Sequence, residues 1–134
     1  MPYAMLLITV VALAAPARPA PAQSADSSVT TRTGVYTEGQ ARRGEAVFAE
    51  TCKLCHLPDY FTATMMMSWS GAPASMLFEV ISTSMPQDRP GALSAKQYAD
   101  VLAYIFELNG LPAGARELPS EPERLARIII ERSN

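Results

Sequence analysis

Cys52-Lys53-Leu54-Cys55-His56 is the stretch whose residue types and spacing most directly imply chemistry. Two thiols three positions apart, with an imidazole directly after the second, form the attachment pattern for a c-type haem. On one turn of helix the two sulfurs reach the two vinyl groups along one side of a porphyrin. His56 then swings its imidazole beneath the ring to bind the iron. The competing chemistries fit less well. A structural zinc site takes four ligands, commonly Cys and His, whereas this chain has 2 cysteines and 1 histidine, so a carboxylate would have to complete the set. A thioredoxin-like redox pair belongs beside a βαβ pattern, and the sequence shows none. A disulfide between Cys52 and Cys55 closes too small a loop to stabilise much.

A second donor for the iron is sought among the methionines. Met85-Pro86-Gln87-Asp88-Arg89-Pro90-Gly91 carries two prolines and a glycine, which preclude regular structure. A thioether displayed on so stiff a loop is suited to the face opposite His56. Met65, Met66, Met67 and Met76 compete for that role, and each reads equally well as core filling, since Met occupies irregular gaps. Trp69 is a candidate cofactor contact, because a buried indole N–H needs an acceptor and a haem propionate offers one. Arg89 either neutralises a propionate or is a solvated loop charge.

The elements that must position these groups read as helices. Thr37-Glu38-Gly39-Gln40 fits a capping box, predicting a helix from Glu38. Ala41, Gly44, Phe48 and Cys52 share one face of it and lead straight into the Cys-His turn. Gly44 costs up to about 1 kcal/mol inside a helix relative to Ala, which suggests close approach by another element, with a neutral surface glycine as the alternative. Residues 57–71 show no periodicity and read as an apolar loop around the porphyrin. Pro73 opens a second helix as its first residue, through Leu77, Phe78 and Ile81. Ser94 and Gln97 make a second capping box, with Leu93 and Tyr98 as its hydrophobic staple. The stripe Tyr98, Val101, Leu102, Ile105 and Leu108 follows, and Gly110 stops the helix. A short helix capped around Ser120 and a final Ile128-Ile129-Ile130, expected to pack back on the domain rather than meet a partner, complete the chain. No strand-period segment stands out.

At 134 residues the chain is expected to hold one domain. Residues 1–22 read as a signal peptide: an apolar run from Ala4 to Ala15, too short for a stable bilayer anchor, ends in Ala20-Pro21-Ala22. Its start carries no Lys or Arg, a departure from the usual positive n-region. Residues 23–34 read as a flexible polar leader, and 35–134 as the functional domain. Export to the periplasm fits thiols destined for haem. Cleavage removes one basic residue, Arg18, from totals of 11 basic and 13 acidic side chains. The acidic balance, with only Lys53 and Lys96 as lysines, argues against nucleic acid as a partner and against a lysine collar for electrostatic steering.

Taken together, the Cys52 to His56 motif, Met85-Pro86 followed by Pro90-Gly91, and the Tyr98-Ala99-Asp100-Val101-Leu102-Ala103-Tyr104-Ile105 helix ending at Asn109-Gly110 resemble class I cytochrome c in its short bacterial periplasmic, monohaem form. The resemblance spans residues 35–114. It implies an all-α fold in which the N- and C-terminal helices cross, with Gly44 and Phe48 meeting Val101 and Tyr104. It further implies one covalent haem c, His56 and Met85 as axial ligands, and one-electron carriage between redox proteins such as a dehydrogenase or an oxidase, rather than enzymatic turnover. Two other readings remain: a cytochrome subunit of a quinoprotein or flavoprotein dehydrogenase complex, and a haem enzyme or gas sensor with an open sixth site.

Overall fold

The computed structural model describes residues 28–62 and 64–132. The expected signal peptide, 1–22, lies outside the described residues. The chain runs β1 (Val29–Thr30), α1 (Glu38–Val47), α2 (Thr64–Trp69), α3 (Ala74–Ser84), α4 (Ala95–Leu108), α5 (Pro122–Leu125) and β2 (Ile128–Ile129). A π-helical turn, Phe48–Cys52, extends α1, and a 3-10 turn covers Pro58–Phe61. The fold is therefore all-α, as the resemblance implies, with one short parallel β pair at its margin.

Helices α1 and α4 cross at Gly44. A Cβ built there would lie 1.8 Å from the Asp100 carbonyl oxygen and 3.0 Å from Tyr104 Cβ, so only glycine allows the approach. The backbone met is that of Asp100, one residue before the expected Val101. Phe48 and Tyr104 do meet, with ring centroids 5.4 Å apart. Arg43 clamps the same crossing by donating from Nε and Nη2 to the two Asp100 carboxylate oxygens, both at 3.0 Å. Bidentate pairing of this kind meets the cost of burying a carboxylate.

Helix α4 begins as expected: Ser94 Oγ accepts from the Gln97 N–H, and the Gln97 side chain returns to the Ser94 N–H. The cap of α1 is only half of the expected box. Thr37 Oγ1 accepts from the Gln40 N–H, but the Gln40 side chain turns away and pairs with both the N–H and the C=O of Leu118. That exchange straps the C-terminal segment onto the crossing. It also explains why α4 is buried on all sides from 98 to 106 rather than along one stripe: Leu111, Leu118, Leu125 and Ile130 are all buried in the same core.

Three further expectations are corrected. Part of the leader, expected to be flexible, is fixed: Val29 and Thr30 pair with Ile128 and Ile129, and buried Thr31 exchanges hydrogen bonds with Glu131 at 2.9 Å. Its partner is about a hundred residues away, out of reach of local pattern. The expected loop 57–71 contains a helix, α2, whose Met66 is buried. Pro73 is the N-cap of α3 rather than its first residue, with extended backbone at φ −62°, ψ 140°. The final isoleucines do pack back, Ile130 N–H donating to the Ala72 carbonyl at 2.9 Å.

Candidate functional site

The thiol-imidazole motif sits where α1 ends. The π-helical turn is closed by Lys53 N–H donating to the Phe48 carbonyl at 2.9 Å. The next turn is closed by Cys55 and His56, whose N–H groups both donate to the Cys52 carbonyl, at 3.1 and 2.9 Å. Cys52 and Cys55 thus occupy one turn, as attachment to a single porphyrin edge requires. Cys52 is half-buried and packed against the core, which pushes its thiol pKa up, while Cys55 is exposed.

His56 is half-buried. Its ring stacks on Tyr60 at 5.1 Å and meets the edge of Phe61 at 5.4 Å. Phe61 in turn packs edge-on against Phe48 at 5.3 Å, so the imidazole rests on an aromatic wall continuous with the core. Asn109, just past α4, steadies that wall by donating from Nδ2 to the Phe61 carbonyl at 2.8 Å. Sequence reading assigned Asn109 only to the helix stop; its amide beside Gly110 carried no sign of this contact.

Met85 caps α3 in extended conformation, its N–H donating to the Ile81 carbonyl at 3.1 Å. The residue is half-buried. Its carbonyl accepts from the Tyr98 hydroxyl at 2.6 Å, another contact the sequence did not disclose. Helix α4 therefore supports both proposed ligands, Met85 from its first turn and the His56 wall from its end, roughly 16 Å apart at 1.5 Å of rise per residue. Among the competing methionines, Met66 is buried in the core while Met67 and Met76 are about half exposed.

Trp69 is half-buried at the end of α2 and packs against the core. The corner that follows it is fixed by Gly71 N–H donating to the Ile130 carbonyl at 2.8 Å. Arg89 is solvated: its side chain is 73% exposed and lies 3.6 Å from Asp88, an arrangement of little energetic weight. The structure thus brings Cys52, Cys55 and His56 onto one turn and anchors Met85 separately through α4. A cavity of about 410 Å³ lined by Gln40, Lys96, Glu117 and Arg124 lies outside these residues.

The residues present fit a haem. The thiols are not joined to each other, and the adjoining His56 offers an imidazole as a metal donor. Large apolar side chains are left exposed around the motif: Leu54 at 82%, Leu57 at 68% and Tyr60 at 62%. A flat apolar macrocycle would remove such surface from water.

A helical domain whose first helix runs into C-x-x-C-H and whose last long helix crosses the first at a glycine has the architecture of a c-type cytochrome. Residues 39–105, half the chain, match the family described as cytochrome c oxidase, cbb3-type, subunit III, and the protein belongs to that family of cytochrome c domains. It is a class I, monohaem cytochrome c-like protein with covalent haem c, and its function is electron carriage. No curated protein and no solved structure gives a significant match.

Proposed function

We propose that the protein is a periplasmic one-electron carrier whose haem c is bonded through Cys52 and Cys55 and held axially by His56 and Met85. The haem supplies a one-electron couple, ferric to ferrous. The protein's part is to keep both axial donors in place in either state, so that little reorganises on electron transfer. A thioether stabilises the ferrous form relative to a second imidazole and raises the potential. The buried rings of Phe48 and Phe61 would work in the same direction by adding apolar surroundings beside the imidazole.

The observation that carries this reading is the attachment of Met85 to α4, the helix that also steadies the turn beneath His56. Met85→Ala is expected to lose the low-spin six-coordinate spectrum and to bind carbon monoxide readily in the reduced state, whereas the wild type resists it. A native spectrum in that variant would move the ligand elsewhere. Intact mass is expected to show one added haem and an N-terminus near Gln23, as cleavage after Ala22 requires.

A second reading is a fixed subunit of a larger respiratory complex. It is favoured by the family's own description as an oxidase subunit and by the scarcity of lysines. Among the described residues no helix is long and apolar enough to cross a membrane. Co-purification from detergent-solubilised membranes distinguishes it from a free carrier.

A further inference from the structure

Residues 85–93 leave α3, turn twice and re-enter helical structure at the Ser94 cap. Inside, the path is held by Arg89 N–H donating to the Pro86 carbonyl at 2.9 Å and Ala92 N–H to the Arg89 carbonyl at 3.1 Å. Gly91 supplies the positive φ of 75° that the second turn demands. Neither contact ties the loop to the domain. Both ends of it meet one atom: the Tyr98 hydroxyl donates to the Met85 carbonyl at 2.6 Å and accepts from the Leu93 N–H at 3.5 Å. Tyr98 is itself buried, 4% exposed, and its ring packs edge-on against Phe78 of α3 at 6.4 Å. The phenol is thus locked by packing on two helices and presents its oxygen to the first and last residues of the loop.

We propose that Tyr98 is a positioning residue for the axial thioether: its hydroxyl clasps the two ends of the 85–93 loop and holds the Met85 backbone where the side chain remains on the iron. This rests on Met85 being the ligand, as proposed above. Packing alone fixes Tyr98 as a core residue, and the staple role expected of it needs only the ring. The hydroxyl is extra to that role, and both of its contacts are with the loop.

Four holoproteins test the proposal: wild type, Tyr98→Phe, Tyr36→Phe and Met85→Ala. Tyr36→Phe is the control, because its hydroxyl donates to the Leu111 carbonyl, also at 2.6 Å, but away from the 85–93 loop. Carbon monoxide binds the reduced protein only when the thioether has left, so its rate of uptake counts that departure. Tyr98→Phe is expected to take up carbon monoxide about fivefold faster than wild type, the factor that loss of one net hydrogen bond gives a two-state equilibrium. Its near-infrared sulfur-to-iron band is expected to fade at a lower temperature. Tyr36→Phe is expected to match wild type on both readouts.

Equal uptake by Tyr98→Phe and wild type overturns the proposal, as does equal acceleration in both tyrosine variants, which would mark general loosening. If Met85→Ala keeps the band, the ligand assignment itself falls, and the clasp with it. If Met85→Ala binds carbon monoxide freely while Tyr98→Phe does not exceed wild type, only the clasp falls. Should Tyr98→Phe fail to accumulate, amide exchange in the wild type decides. Slow exchange at Leu93 supports the clasp, and exchange at the rate of exposed loop amides overturns it.

Discussion

At the α1–α4 crossing, two backbones touch through Gly44, a buried carboxylate is paired on both oxygens, and every residue from 98 to 106 is buried. Between residues 52 and 93 the protein is built differently. Its helices there, α2 and α3, are separated by turns, and apart from Val29 all the large hydrophobics exposed among the described residues lie between Leu54 and Val80. The first region completes its packing with its own side chains. The second leaves apolar side chains beside the Cys52 to His56 turn exposed, surface that a covalently bound haem c would cover. Stability and redox chemistry are thereby assigned to different parts of one small domain, joined by α4.

The largest test of that division removes the cofactor's bonds. A Cys52→Ala, Cys55→Ala protein is expected to lack covalent haem by mass and to lose several kcal/mol of stability, on the order of 4 kcal/mol if the haem contributes as a tightly bound ligand of the folded state does. Amide exchange is expected to rise first and furthest in α2 and α3, and last in α1 and α4. Uniform exposure would mean that the crossing depends on the cofactor as much as the ligand segment does. A smaller effect is expected from Gly44→Val, which drives a side chain into the Asp100 carbonyl. Urea denaturation should show a loss of about 3 kcal/mol, while protein that remains folded keeps the wild-type spectrum.

The smallest test is electrostatic. A hydrogen bond from Arg43, with further help from Lys96, holds the Glu117 carboxyl below its ordinary value of 4.5. A depressed folded-state pKa means that Glu117 contributes stability above that value and loses it as pH falls through the acid range. Thermal melts taken downward from neutral pH are expected to be slightly flatter in Glu117→Gln than in wild type. The difference should shrink with added salt, since the group is exposed.

What the sequence disclosed follows the range of the interactions. The Cys52 to His56 motif, the Ser94 box and the stop at Gly110 are each specified within a few residues, and the structure has each turn or boundary where it was expected. The close approach at Gly44 was legible in part, because the helix cost of a glycine suggested it, but a neutral surface glycine fitted the same residues until the Asp100 backbone was seen beside it. The contacts that failed to register are those in which a polar side chain serves a distant backbone: Gln40 to Leu118, Thr31 to Glu131, Asn109 to Phe61 and Tyr98 to Met85. Gln40 illustrates the cause, since its position in a capping pattern pointed to a local partner and a remote one won. Helix α2 was missed for another reason. Six residues carrying three consecutive methionines offer no single apolar face, and its order comes from neighbours such as the strapped corner at Gly71.

The pairing of Val29 and Thr30 with Ile128 and Ile129 bears on the order in which the chain acquires its shape. A strand at residues 29–30 finds its neighbour only once residues 128 and 129 are present, about a hundred positions along the chain. Until then the corner at Gly71 and Ala72 lacks the Ile130 contacts that fix it. In a chain exported before it folds, as proposed above, the sulfurs at 52 and 55 would cross ahead of residues 128 and 129, so this closure would follow the interval in which they are most open to modification.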